Sequence, residues 1–276
     1  MVELAIRNSV RSPVASYKID KVIYSNLTTG RAFYKVKHAH LPSSFYGMKV
    51  IKADDRRQEK TIKNEIVALN RLPFGITAKC HHHWQDENKH FLIMDWIEGT
   101  PLSEYINSNT QSSILLQQKI TISEKIARKV HQLHRFRLLH RDIKPENIIL
   151  QFAGRNVADV YLIDFGSSNQ SREAEEGSYH FRSPEQSYAR NVRLSEASDV
   201  FSLCQVLTYI FTGSHLELEP NFDMTDWASE FNKQFSSLPN QLEELLRKGL
   251  LFKAHSRTQQ AQTIANQLRQ ISRIIR

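Results

Sequence analysis

His140-Arg141-Asp142-Ile143-Lys144-Pro145-Glu146-Asn147, followed by Asp164-Phe165-Gly166, decides how this chain is read. The run supplies an Asp, a Lys and an Asn within six residues, and a second Asp seventeen residues past Asn147. Phosphoryl transfer from a magnesium nucleotide needs such a set: one carboxylate to orient a hydroxyl, one cation to meet the moving phosphate, and two oxygen side chains for a hard cation. Either tripeptide alone is weak evidence; the full run at this spacing is hard to reach by chance.

The surroundings of the run are helical. Ile122, Ile126, Val130 and Leu133 form one apolar stripe leading into it. Beyond it, Asp199 precedes Val200 to Phe211, whose polar members are Ser202, Gln205 and Thr208; a helix that apolar belongs inside a core. Two more helices are predicted near 240–251 and 259–275. Toward the N-terminus the pattern changes to strands at 17–27, 31–38 and 45–51, parted by Thr28-Thr29-Gly30 and Pro42-Ser43-Ser44. Ile62, Ile66 and Leu69 then predict an amphipathic helix near 56–71, and two strands follow at 81–85 and 91–95. Glu98-Gly99-Thr100-Pro101 breaks the pattern. Strands first and helices second give an α+β fold of two unequal lobes, 1–95 and 96–276.

Composition narrows the class. With 276 residues, 40% hydrophobic and 24% charged, the chain is that of an ordinary globular protein. The net charge of +8 reads as a solvated basic face, and no basic run interleaved with aromatics points to nucleic acid. Cys80 and Cys204 give neither a disulfide framework nor a Cys-x-x-Cys spacing. Cys204 reads as a small buried hydrophobe. Residues 1–14 lack an apolar segment of signal-peptide length, and 200–211 is too short to span a bilayer, so no membrane segment and a cytoplasmic location are expected. A domain of a longer protein and an effector acting in a host cytosol stand as alternatives to a stand-alone cytosolic chain. His81-His82-His83, with His90 nearby, invites a metal reading. On a regular strand His81 and His83 share one face and His82 takes the other, so three ligands do not converge and exposed strand histidines are expected.

The chain resembles a eukaryotic-type (Hanks-type) serine/threonine protein kinase domain over nearly its whole length, with the motifs in family order. The resemblance implies a bilobal protein kinase-like fold, a small β-rich N-lobe and a larger helical C-lobe with the active site in the cleft. It implies ATP and Mg2+ as cofactors, and a protein substrate with a Ser/Thr acceptor as partner. Asp142 matches the catalytic Asp, and Lys144 the cation that favours Ser/Thr over Tyr acceptors. Asn147 and Asp164 match the magnesium ligands. Lys49, in Tyr46-Gly47-Met48-Lys49-Val50, matches the phosphate-pairing Lys, and Glu65 its ion-pair partner. Gly177-Ser178 and Ser183-Pro184-Glu185 resemble the docking segment, with Ser178 near the catalytic Asp and Lys. Glu185 is expected to pair with Arg257, and Asp199 to anchor the catalytic-loop backbone. Trp84 and Leu69 are expected in an inter-element core that Phe165 and His140 join. The wording His180-Phe181-Arg182-Ser183-Pro184-Glu185-Gln186 is closer to bacterial eukaryotic-like kinases than to animal ones.

Some stretches depart from the family pattern. Ser25-Asn26-Leu27-Thr28-Thr29-Gly30-Arg31-Ala32 keeps only Gly30 of three loop glycines, which implies a stiffer loop over the phosphates and weaker nucleotide affinity. Met94 aligns with the gatekeeper, and the backbones of Asp95 and Ile97 with the positions that meet adenine. Pro101 replaces an acidic residue that often binds the ribose. Residues 213–239 are poorly matched. In the activation segment, Glu173 or Glu175 is expected to pair with Arg141 in place of a phosphate. The alternative there is a solvated acidic turn, with activation through Ser171 or Ser178. Two other readings of the chain stand beside the kinase: a pseudokinase or nucleotide-binding interaction scaffold, and a small-molecule phosphotransferase of related fold.

Overall fold

The computed structural model describes residues 9–26, 28–73, 75–108, 114–167, 179–187, 194–217 and 224–275. The chain divides into two compact units, Met1–Glu98 and Gly99–Arg276.

The first unit is built on strands β1 (Ser9–Arg11), β2 (Ser16–Asn26), β3 (Arg31–His38), β4 (Leu41–Lys52), β5 (Cys80–Asp86) and β6 (Lys89–Asp95), with helix α1 (Arg56–Arg71) between β4 and β5. They form one antiparallel sheet in the order β1-β2-β3-β4-β6-β5. Alternation along the strands collects Ala32, Tyr34, Val36, Met48, Val50, Phe91 and Ile93 on one face, where they pack with Tyr17 and Trp84. The other face carries Lys49 and Leu92 and receives α1. The helix starts at Asp55, whose side chain accepts the Gln58 N–H at 2.8 Å, and its buried stripe runs through Ile62, Glu65 and Leu69. Gly30 closes the β2–β3 turn at φ +61°, where a Cβ would come within 2.6 Å of Lys52 Cβ, so the hairpin itself needs a glycine there.

The second unit opens with a small sheet of β7 (Thr100–Pro101), β8 (Ile148–Ala153) and β9 (Asn156–Leu162). The rest is helical: α2 (Leu102–Ser108), α3 (Leu116–Arg135), α4 (Pro184–Ser187), α5 (Glu196–Thr212), α6 (Met224–Phe235), α7 (Asn240–Gly249) and α8 (Ala261–Ile274). The Ile122, Ile126, Val130 and Leu133 stripe of α3 is buried, as are the apolar positions of α5, including Cys204. α8 packs along α3 and buries Ile264, Leu268 and Ile271, with Arg269 and Glu124 2.7 Å apart across the pair. Strands first and helices second is the order expected from the sequence; β1, β7, β8, β9, α2, α4 and α6 were not foreseen. Among the described residues no helix is long and apolar enough to cross a membrane.

One irregularity rearranges the histidine strand. The β5–β6 register shifts between Cys80 and His82, so a residue is added and strict alternation fails there. His81 therefore joins His82 on the Trp84 side: it meets the Tyr46 ring edge-on and contacts Asp95, while His82 stacks on Trp84 at 5.2 Å. His83 alone turns to the α1 side and stacks on His90 at 5.3 Å. Trp84 stacks on Phe91 at 4.8 Å, in the cluster on the face away from α1, and not in a shared core with Leu69.

Candidate active site

Each unit carries part of the predicted site. In the first, Lys49 lies on the α1 side of β4 and Glu65 projects from the buried stripe of α1. Lys49 Nζ donates to Glu65 Oε1 at 2.6 Å, and the two residues are only 8% and 3% exposed. A buried ammonium is tolerated only with such a partner, so the pair fixes the helix against the sheet. Met94 is buried on β6 opposite Gly47. Asp95 ends the strand; its N–H donates to Lys79 O at 3.0 Å and its carboxylate accepts the Lys79 N–H at 2.9 Å. Ile97 follows two residues later, half-buried. Gly30 sits in the turn described above.

In the second unit the opening motif is a strained loop held by buried partners. Arg141 and Asp164 both adopt positive φ, +64° each. Such geometry in non-glycine residues costs about 1–3 kcal/mol and persists only when the surroundings hold it. For Arg141 the holder is Asp199, 1% exposed, which accepts the His140 and Arg141 N–H groups at 2.8 Å each and contacts His134 Nε2 at 2.9 Å. Gln186 adds a bond from Nε2 to the Arg141 carbonyl at 2.9 Å. Burial works to raise the Asp199 carboxyl, but the hydrogen bond and charge of His134 and the donated N–H groups outweigh it, and it lies below the usual range. Burial likewise pushes His140 down, toward the neutral ring, which packs on Phe165 at 4.8 Å.

The chemistry-bearing residues follow at close range. Asn147 Nδ2 donates to the Asp142 carbonyl at 2.9 Å and to Asp142 Oδ2 at 3.0 Å, and Lys144 Nζ is 3.0 Å from that same oxygen. With both amide hydrogens of Asn147 directed at Asp142, its Oδ1 is left as a hard-oxygen donor. The Asp164 carboxylate supplies a second, so the donor set suits Mg2+. Asn147 O accepts the Ile163 N–H at 2.9 Å, tying the catalytic loop to the segment that leads from β9 into Asp164.

Glu185 and Arg257 make the expected pair, and the guanidinium does more. Nη1 and Nη2 donate to Glu185 at 2.9 and 3.1 Å. The remaining N–H groups reach the carbonyls of Leu251 (2.8 Å), Ala197 (2.7 Å) and Phe252 (3.0 Å). All five donors are used. Burial raises Glu185, but Arg257 outweighs it and holds the carboxyl below its ordinary value.

Ser178 lies outside the described residues, as do Ser171, Glu173, Glu175, Glu176 and Gly177. Two supports escaped sequence reasoning. His134 sits four residues after Val130, a stripe position that signals burial of a polar ring; Gln186 offers no such signal.

A model of the protein kinase domain family matches residues 29–275. Among curated proteins, the chain is 27% identical over 168 residues to the serine/threonine-protein kinase PrkC of Bacillus subtilis, covering 58% of this chain and 25% of PrkC. It is 28% identical over 190 residues to the probable serine/threonine-protein kinase PknB of Lactococcus lactis, covering 65% and 29%. The matched part is thus about a quarter to a third of either relative. The fold is shared with the kinase domain of Mycobacterium tuberculosis PknI at a TM-score of 0.71 and 20% identity, over 96% of this chain and 99% of that one. With nearly its whole length matched, and the Lys–Glu pair and catalytic loop in their expected elements, this chain belongs to the protein kinase domain family.

Proposed function

We propose that the protein is an active serine/threonine kinase that transfers the γ-phosphate of ATP to a hydroxyl of a protein substrate. The observation that carries this is the fixed Asp142 carboxylate, held through one oxygen by Lys144 and Asn147 at 3.0 Å each. Asp142 accepts the hydroxyl proton as the acceptor oxygen bonds to the γ-phosphorus and the bond to ADP breaks. Lys144 offsets the charge on the transferring group. Lys49, itself oriented by Glu65, holds the phosphates. Asn147 and Asp164 hold Mg2+, which when bound neutralises phosphate charge. Catalysis of this kind is positioning and electrostatics, so every member of the set matters steeply.

The test is phosphotransfer from labelled ATP with magnesium onto generic protein substrates, comparing wild type with Asp142→Asn. Labelled phosphoserine or phosphothreonine made by wild type and lost in the variant supports the reading. A folded Asp142→Asn protein with undiminished transfer refutes it. Wild type that binds nucleotide without transfer leaves the scaffold reading in its place.

A further inference from the structure

β5 and β6 carry a pair of histidines beneath the first turns of α1. His83 opposes Leu92, Leu92 opposes Lys49, and His90 lies two residues before Leu92, so both rings are on the α1 face of the sheet. The start of α1 is tied to that end of the hairpin: Ala53 N–H donates to Asn88 O at 2.8 Å, and Asn88 Nδ2 to Asp54 Oδ1 at 3.0 Å. His83 Nε2 is 3.0 Å from His90 Nδ1. The ring planes differ by 9° and their centres are 5.3 Å apart, so the rings meet tip to tip rather than face over face. A zinc ion between two in-line nitrogens would need them about 4 Å apart, whereas one shared N–H needs about 3 Å. The gap suits a proton and not a metal ion.

The neutral pair makes this bond with one ring donating and the other accepting. An added proton that keeps the bond must fill both outer nitrogens, so His90 Nε2 must then carry a hydrogen. That nitrogen is buried and has no hydrogen-bond partner among the described residues, in a residue 3% exposed. A proton placed between the rings instead turns both facing nitrogens into donors and breaks the bond. Either way the charged pair does not fit under a seated helix.

The charges around the pair come from three elements. α1 brings Glu59 and Lys63, four residues apart, and β5 brings His82 from its other face. On β4 the same face carries Lys49, which is paired with Glu65. Burial holds both rings below the ordinary histidine value. His90, His82 and Lys63 lower His83 further; on His90, Glu59 acts upward and Lys63 downward. With α1 moved aside and water admitted, each ring would take its proton at the ordinary value, about 6.5. Protons therefore bind the shifted state better than the seated one, and acid favours the shift. Protection by the neutral pair is complete above about pH 6.5 and is lost as pH falls from there toward the lowered folded values.

We propose that the His83–His90 pair is a proton-operated latch on α1: neutral, it lets the helix seat with Glu65 on Lys49, and protonation shifts the helix and opens that ion pair. The latch acts within the first unit and needs no phosphotransfer; where the chain acts as a kinase, acid slows the reaction by parting Lys49 from Glu65.

The test is amide hydrogen exchange of the full chain from about pH 7.5 to about pH 5, corrected for the intrinsic pH dependence of exchange. Exchange in residues 56–71 should quicken roughly ten-fold as the pH falls, while α3 and α5 stay within about two-fold. His90→Phe keeps a ring in place but removes the outer nitrogen that lacks an acceptor, and should hold α1 protected throughout. The helix variants read the latch with both histidines intact. Glu59→Gln should move the acid step to lower pH and Lys63→Gln to higher pH, because the first loses a charge that favours the proton and the second one that opposes it. A wild type with no acid step in α1, a step that persists in folded His90→Phe, or Glu59→Gln and Lys63→Gln shifts in the same direction overturns the proposal. These readouts leave the kinase reading untouched, since none of them measures turnover.

Discussion

Replacing Arg257 with Met should destabilise the helical unit without touching a reacting group. The change removes both charged bonds to Glu185 and strands the carbonyls of Leu251, Ala197 and Phe252, in a site where Arg257 is 3% exposed. Leaving one partner of a buried ion pair costs about 3–5 kcal/mol. For a unit of this size that shifts the thermal midpoint by about 10 °C. Arg257→Lys keeps the charge, but three donors replace five, so at least two acceptors go unmet at about 1–3 kcal/mol each. The double variant Arg257→Met/Glu185→Leu removes the stranded carboxylate and should regain part of the loss. Urea denaturation followed by far-ultraviolet circular dichroism reads these helices. The expected order is wild type, then Arg257→Lys, then Arg257→Met, with the double variant above Arg257→Met. A loss under about 1 kcal/mol in Arg257→Met, or a double variant no better than the single, refutes the reasoning.

Asp199→Asn keeps one carbonyl oxygen where two carboxylate oxygens serve His134, His140 and Arg141; it should lower both the urea midpoint and phosphotransfer, and wild-type values for either would sink the anchoring role. Glu185 and Asp199 both lie below their unfolded values, so their contribution is complete above about pH 4–5 and is lost as pH falls through the folded values. The urea midpoint should hold from pH 7 to about 5 and drop below it, less steeply in Asp199→Asn; equal acid slopes in the two proteins would contradict this. Glu65→Gln leaves the Lys49 charge buried beside a neutral amide, and should cut Mg-ATP turnover at least about ten-fold, with unchanged turnover as the refuting result. If Glu173 or Glu175 stands in for a phosphate beside Arg141, phosphatase-treated protein keeps its activity; complete loss would count against it.

Phosphoryl transfer admits few residue types, and the chain must present them in order, so the Asp142 run, Asp164, Lys49 and Glu65 could be read as candidates for such chemistry before any fold was known. The helices and strands around them were legible for a related reason: a buried face repeats along its own element, as in Ile122 to Leu133 or Ala32 to Val36. What sequence leaves open are relations between residues far apart in the chain. Asp199 reaches backbone N–H groups 58 and 59 residues away, Arg257 gathers three carbonyls from two separate segments, and Gln186 holds Arg141. Sheet register is equally hidden. One extra residue in β5 brings His81 to the same face as His82 and Trp84, and the β3–β4 pairing brings Phe33, not Ala32, beside Lys49. Side chains alternate with a period of two, so a single-residue slip exchanges the faces of a strand. Chemistry and local periodicity are written along the chain; which distant side chain meets which is set only when strands pair and helices pack.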